Sequence, residues 1–301
     1  MSVTLPFRRD FDPPYGVAEQ VSPLIRRVVA KNPSAFTFTG TGTYIVGRGN
    51  VAIIDPGPDM ASHVAALLAA VAGETVSHIL VTHTHIDHSP AAAAIKAATG
   101  APTFGFGPHG SGRTDPGDHA HEGGDHDFTP DRRLRGGDVI RAEGWTIEAV
   151  HTPGHTSNHL CFALREEAAL FTGDHVMGWS TSVIMPPDGD MAAYMRSLDL
   201  LLARNDSIYW PTHGLPVEDP QSYVRALIAH RQEREAQIMD CVGAGVTRIP
   251  DMVARMYKDV PTYLHGAAGN SVYAHIIHMV ETRRLACEGE PLPTSDYRLS
   301  R

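Results

Sequence analysis

The chain has little cysteine. Its three thiols, Cys161, Cys241 and Cys287, lie far apart in 301 residues and fall in no paired pattern. That excludes a disulfide framework and a cysteine-built zinc site. No apolar run is long enough to span a bilayer. Arg8 and Arg9 are not followed by an apolar segment, so no secretory signal is read at the N-terminus. A reduced, cytoplasmic location follows as the default expectation, and no membrane is expected as a partner.

The chain is also short of positive charge, with 25 Lys+Arg against 34 Asp+Glu. The part from Pro220 onward holds 10 basic and 9 acidic residues, which leaves 15 and 25 before it, a balance of −10. This is not the broad basic surface of a general nucleic-acid binder. At 42% hydrophobic and 20% charged, the composition is otherwise that of an ordinary globular protein with a real core.

What is present in excess is histidine, with 18 residues. Three of them sit in His83-Thr84-His85-Ile86-Asp87-His88. The preceding Val76 to Val81 reads as a buried strand. The following Ser89-Pro90 and alanine run to Gly100 read as a helix, with Ser89 as N-cap, Pro90 at the first position and Gly100 at the C-terminal end. The histidine stretch is therefore a loop at the carboxyl end of a strand, where open α/β sheets present side chains to ligands. His83 and His85 point the same way in extended backbone. Asp87 and His88 follow where the chain turns.

Regular elements are expected before and after this loop. Val21 to Ala30 reads as a strand behind an extended arm. Phe36 to Val46 and Val51 to Asp55 read as a hairpin about Gly47-Arg48-Gly49-Asn50, and Met60 to Val71 as a helix. Strands are expected at Pro102 to Phe106, Val139 to Arg141, Thr146 to Val150, His159 to Leu164, Ala168 to Thr172 and Ser207 to Trp210, with a helix over Asp190 to Ala203. Further on, helices are expected from Asp219 to about Cys241, Pro250 to Tyr257 and Leu264 to Arg284, and a hairpin or wing in Glu288 to Leu299. Residues 107 to 137 have no apolar period. With His109, His119, His121 and His126, they read as a mobile surface loop near the site rather than a second metal site.

Three later strand exits carry the same residue types: His155, Asp174 and His213. If these ends converge, His83, His85 and His155 hold one ion, Asp87, His88 and His213 hold another, and Asp174 bridges through its two oxygens. Imidazole and carboxylate ligands suit zinc first, with iron or manganese as alternatives. Two ions about 3.5–4 Å apart supply hydroxide from water at neutral pH, and Asp87 is placed to take the proton. His151, His159 and His175 read equally as orienting partners or as structural histidines. Asp55 reads as a brace for the loop or as a plain turn aspartate. His63 and His78 read as structural, and Trp179 and Met185 as core.

Thr82 to His88 resembles the T-H-x-H-x-D-H signature of the metallo-β-lactamase superfamily. His155 in Thr-Pro-Gly-His-Thr, Asp174 in Phe-Thr-Gly-Asp and His213 in Pro-Thr-His-Gly match the later family positions. The resemblance covers about Val21 to Leu215. It implies an α+β fold, a four-layer αβ/βα sandwich with the metals at one edge of the sheets. His230 to Glu235 and Ala267 to His278 are similar to the β-lactamase-like-protein-2 group, which implies a small C-terminal winged-helix-like helical domain. The expected division is residues 1–218 catalytic and 219–301 C-terminal. The Thr-Pro-Gly-His-Thr block is also similar to glyoxalase-II-type thioesterases, but the basic, aromatic glutathione-binding part of those enzymes is not found.

Three functional classes stay open on this reading. The first is a dinuclear metal hydrolase of a small ester, thioester or lactone. The second is an endoribonuclease or phosphodiesterase acting on single-stranded RNA. The third is a non-catalytic partner- or nucleic-acid-binding protein with structural metals. A homo-oligomer is compatible with all three.

Overall fold

The computed structural model describes residues 3–113, 123–258, 262 and 265–300. His119, His121 and Leu264 of the expectations above lie outside the described residues.

Seven strands form the first sheet, in sequential spatial order: β1 (Glu19–Ser22), β2 (Ile25–Val29), β3 (Gly42–Arg48), β4 (Asn50–Ile54), β5 (Thr75–Leu80), β6 (Thr103–Gly105) and β7 (Arg132–Arg133). The first four pair antiparallel, and β4 through β7 pair parallel. The crossovers are α1 (Ala61–Ala70) and α2 (Ala92–Thr99). The second sheet contains β8 (Val139–Ala142), β9 (Trp145–His151), β10 (Leu160–Leu164), β11 (Ala169–Gly173) and β12 (Ile208–Pro211), ordered β12-β11-β10-β9-β8. Only β11 and β12 pair parallel in it, joined through α3 (Met191–Leu202).

The strands read as unbroken apolar runs because both faces are covered. In β3 and β4, Tyr44, Val46, Ala52 and Ile54 face the second sheet, where they meet Ile147, Phe162 and Phe171. The alternate residues Ile45, Val51 and Ile53 face α1 and α2 through Leu67 and Ile95. In the second sheet Leu160 and Phe162 face inward, while Cys161 and Ala163 face α3 and the first half of α4 (Pro220–Gly243). The result is the four-layer αβ/βα sandwich. Each large side chain taken out of water this way contributes about 1.5–3 kcal/mol.

A smaller cluster closes the C-terminal part. The second half of α4 packs Ile238, Cys241 and Val242 against α5 (Ile249–Met256) and α6 (His265–Glu281). Short strands β13 (Leu285–Ala286) and β14 (Arg298–Leu299) pair antiparallel as a wing, whose first strand lies ahead of the expected Glu288 to Leu299 stretch. Helix α4 therefore belongs to two cores: Tyr223, Val224 and Leu227 serve the sandwich, and its far end serves the winged helix. No helix among the described residues is long and apolar enough to cross a membrane.

Local expectations are corrected in several places. The expected single strand Val21 to Ala30 is instead parts of two antiparallel strands, β1 and β2, with a turn at Pro23-Leu24. Ser89 does not cap α2; the N-cap is Ala91, with no side-chain hydrogen bond, and Ser89 Oγ instead donates to Asp125 Oδ2 at 2.6 Å. Of the stretch from Phe36 to Val46 only Gly42 onward is strand, in a β3 that continues to Arg48. The chain before it turns through Phe38 (φ 56°) and Gly40 (φ 140°), where any Cβ at residue 40 would meet the Ala30 carbonyl oxygen at 2.1 Å. Gly100 does end α2 in the left-handed conformation, its N–H bonded to the Lys96 carbonyl.

Candidate metal centre

Strands β4, β5, β9, β11 and β12 all end at one edge of the sandwich. Asp55 follows β4, the His83–His88 loop follows β5, His155 follows β9, Asp174 follows β11 and His213 follows β12. The seven side chains singled out in the sequence therefore come together. Ligand atoms of His83, His85 and His155 lie within 4.8 Å of one another, as do those of Asp87, His88 and His213, and those of His83, His88 and Asp174. His85 Nδ1 is 3.0 Å from both His83 Nε2 and His155 Nε2. Asp87 Oδ2 is 3.3 Å from His88 Nε2 and 3.1 Å from His213 Nε2. Asp174 reaches both groups: Oδ1 lies 3.3 Å from His213 Nε2, and Oδ2 lies 3.8 Å from His155 Nε2.

Three of the imidazoles are oriented from behind. His88 Nδ1 donates to Asp55 Oδ2 at 2.9 Å, His155 Nδ1 to the Val183 carbonyl at 2.6 Å, and His213 Nδ1 to the Gly40 carbonyl at 3.2 Å. Those donations leave each Nε2 facing the cluster with a lone pair. His159 acts one step away. Its Nε2 accepts the Asp174 N–H at 3.3 Å and its Nδ1 donates to Thr152 Oγ1, so it holds the backbone that carries Asp174. Asp55 proves to be a brace: it also accepts from the Thr82 N–H, Thr82 Oγ1 and Thr212 Oγ1.

Burial and charge divide the cluster. Desolvation, reinforced by neighbouring imidazoles, holds His83 well below the ordinary range and His85 down to about 3. Burial also opposes charge on His88 and His213. Asp87, Asp174 and Asp55 outweigh it at His88, which is raised, and Asp174 and Asp87 outweigh it at His213, which is pushed up to about 10. Desolvation works against the charged forms of Asp87 and Asp174, yet His88 and His213 hold both carboxyls well below their usual range. A metal cation at this point would supply the positive charge that the two carboxylates draw.

The donor set fits such a cation. His88 Nε2, His213 Nε2 and Asp174 Oδ1 are buried, aimed into the cluster and without a hydrogen-bond partner, a costly condition that a metal ion would relieve. Imidazole nitrogens and carboxylate oxygens are ligands of first-row metals.

The cluster forms the floor of a cleft of about 480 Å³. Phe36, Ile86, Met177, Val183 and Met185 line it, with Asn32, Ser34, Thr37, Thr156 and Asp188 among the polar groups. Among the described residues, no Lys or Arg contributes to the lining. Phe36 and Ile86 are 62% and 58% exposed. Met185 thus lines the cleft, while Trp179 stacks on Phe38 at 4.8 Å. His63 and His78 are structural, bonded to Thr43 and Ser77. His151 stacks on Phe106 and does not reach the cluster; His175 is buried beside Tyr194. Sequence reasoning missed Gly40 and Val183, which act through backbone carbonyls, and Asp188, which accepts from Ser157. No side-chain signal marks the first two.

Residues 37–213 match the family model of the metallo-β-lactamase superfamily, and residues 249–290 match that of the β-lactamase-associated winged helix domain. The chain is 32% identical to the lactamase-like protein adaB of Aspergillus niger, over 91% of this chain and 85% of that protein. It is 31% identical to the atrochrysone carboxyl ACP thioesterase dmxR1 of a Cryptosporiopsis species, over 82% and 76%. Among solved structures, a β-lactamase domain protein from Burkholderia ambifaria superposes with a TM-score of 0.78 at 18% identity, covering 98% of this chain and 97% of that one. A metallo-β-lactamase family protein from Thermus thermophilus gives 0.74 at 19% identity, covering 93% and 100%.

Proposed function

The chain belongs to the metallo-β-lactamase superfamily of hydrolases, and from that premise we propose that it is a dinuclear metal hydrolase cleaving an acyl substrate, a thioester before an oxygen ester or lactone. The observation that carries the reading is the convergence of four strand-exit loops on buried, unpartnered donors at the floor of an apolar cleft. His83, His85 and His155 would hold one ion, Asp87, His88 and His213 the second, with Asp174 shared. Zinc is the metal we assign, with iron or manganese as the alternatives. Bound divalent ions would acidify a water and polarise the acyl carbonyl.

The chain's own residues supply the rest. The apolar walls at Phe36, Ile86, Val183 and Met185 take the acyl group and exclude bulk water from it. Water attacks the acyl carbon, and its proton passes to Asp87, whose carboxylate is partly open to the cleft. The carbon–sulfur bond then breaks, Asp87 returns the proton to the sulfur, and the products are the carboxylic acid and a thiol. A thioester stands first because curated relatives include ACP thioesterases and because the cleft is apolar. The single-stranded RNA reading stands second, since a described lining without Lys or Arg offers a phosphate backbone no counter-charge. We place the division between the catalytic part and the C-terminal part at 218/219, the residue pair that ends on the α4 N-cap Asp219.

The test is a panel on zinc-loaded and metal-depleted protein: acyl thioesters of increasing chain length, aryl esters, lactones, bis-p-nitrophenyl phosphate and a single-stranded RNA oligomer. Zinc-dependent turnover of thioesters is the expected result. Turnover of the phosphodiesters alone would move the RNA reading to first place.

A further inference from the structure

Helix α4 carries a buried arginine whose position the chemistry above does not use. Arg231 is 3% exposed. Its Nη2 donates to the Ser182 carbonyl at 2.6 Å, and its guanidinium lies 5.1 Å from the centre of the Tyr194 ring. Among the described residues it forms no ion pair with a carboxylate, and its Nε has no hydrogen-bond partner. Glu235, one turn further along α4, is committed to His275, His278 and Arg284. A buried guanidinium without a carboxylate is costly. Simple packing of α4 on the sandwich would be served better by an apolar side chain of similar volume, so the direction of its hydrogen bond is what the arginine adds.

That bond lands next to the metal centre. The residue after Ser182 is Val183, whose carbonyl accepts from His155 Nδ1 and whose side chain lines the cleft. The second contact of Arg231 also leads to His155. Tyr194 lies directly under the loop that presents this histidine: Gly154 is at φ 142°, and a Cβ there would meet Tyr194 Cα at 2.4 Å. The Tyr194 hydroxyl in turn donates to the His175 carbonyl at 3.1 Å, next to Asp174. One guanidinium thus touches the peptide group preceding the one that orients the His155 ring, and the side chain that supports the His155 loop.

We propose that Arg231 is a positioning residue for the metal centre, acting through the Ser182–Val183 backbone and Tyr194 to fix His155; the inference rests on the metal-hydrolase reading above. It gives α4 a role beyond joining two cores. The helix runs from the sandwich to the winged helix, and midway it sets the aim of a ligand and one wall of the cleft.

The experiment compares full-length wild type, Arg231→Met, Arg231→Lys and Glu235→Gln. Zn²⁺ affinity is read by competition with a chromophoric chelator, folding by thermal melting of the metal-free chains, and kcat and KM with an aryl thioester at saturating zinc. Arg231→Met keeps the volume and removes the donors; it is expected to lose about 10–100-fold in zinc affinity, the usual cost of removing an orienting partner. Arg231→Lys keeps the charge without the planar fork and is expected to lose less, in the same direction. Glu235→Gln loosens α4 against α6; it is expected to lower the melting temperature while leaving zinc affinity within about twofold. Zinc binding by Arg231→Met equal to wild type overturns the inference. So does an equal loss in Glu235→Gln, which would make the effect one of general packing. If Arg231→Met does not fold, Arg231→Lys carries the comparison, and unchanged affinity there has the same meaning. A wild type that binds no zinc overturns the metal-hydrolase reading itself; a wild type that binds while the variants do not differ from it overturns this inference alone.

Discussion

Asp55 Oδ2 accepts the His88 Nδ1 proton at 2.9 Å, and the same fully buried carboxylate accepts from Thr82 beyond β5 and Thr212 beyond β12. One side chain thereby joins the loop ends of both sheets and sets the tautomer of one imidazole. Asp55 sits at φ 49°, a left-handed conformation that a non-glycine residue adopts only where surrounding contacts hold it.

Asp55→Asn is expected to act on stability and on the metal together. The amide keeps the shape, but its NH₂ faces donors that need an acceptor. We expect a loss of roughly 3 kcal/mol in urea unfolding and about 10–100-fold in zinc affinity. Unfolding curves and chelator competition on the same preparation check both. A stability loss with unchanged zinc affinity would reduce Asp55 to a structural clamp.

His213→Ala removes one nitrogen from the group containing Asp87 and His88 and leaves the His83, His85 and His155 group whole. Bound zinc is expected to fall from about two equivalents to about one, with thioester turnover falling by two orders of magnitude or more, about 3 kcal/mol of barrier. Elemental analysis after gel filtration gives the stoichiometry. Retention of two equivalents would contradict the ligand assignment.

Much of this centre was legible before the structure, for a physical reason. A metal ligand must be a specific side chain, and four strand ends each carry a candidate beside Gly or Pro: His83 to His88, His155, Asp174 and His213. The supports were less legible. Val183 and Gly40 act through carbonyl oxygens, which every residue has. Arg231 and Asp188 act across long separations on backbone and hydroxyl groups. Ser89 misled because its hydroxyl had a stronger partner in Asp125 than the α2 N-terminus offered. Phe36 reads as part of a strand because it is apolar. It is instead an exposed wall of the cleft, a distinction that alternation alone does not draw.

Phe36→Ala tests what that wall binds. Its ring is mostly exposed in the free protein and is available to cover an acyl chain. For a long-chain acyl thioester, KM is expected to rise about tenfold, equal to about 1.4 kcal/mol. For the acetyl thioester, which does not reach the ring, kcat and KM are expected to stay near wild type. Equal effects on both substrates would mean that Phe36 shapes the site rather than contacting the chain. No effect on either would remove it from the acyl path.

Acid should destabilise the fold through buried histidines that are not among the candidate ligands. Burial lowers His63, His230 and His275, each to about 4 from an ordinary 6.5. All three are therefore neutral in the folded chain at pH values where the unfolded chain has begun to take up protons. The unfolded state binds more protons between these values, so stability rises with pH across that window. The contribution is fully present above about pH 6.5 and is lost progressively as the pH falls toward about 4. Urea midpoints of the metal-free chain, measured from pH 7.5 down to about 4.5, are expected to decline steadily through this range. His63→Gln removes one of the titrating groups while keeping a polar atom near Thr43, whose hydroxyl is 2.9 Å from His63 Nε2. Its midpoint should start lower at neutral pH and fall less steeply. A slope equal to that of wild type would show that His63 does not titrate on unfolding and that the acid sensitivity arises elsewhere.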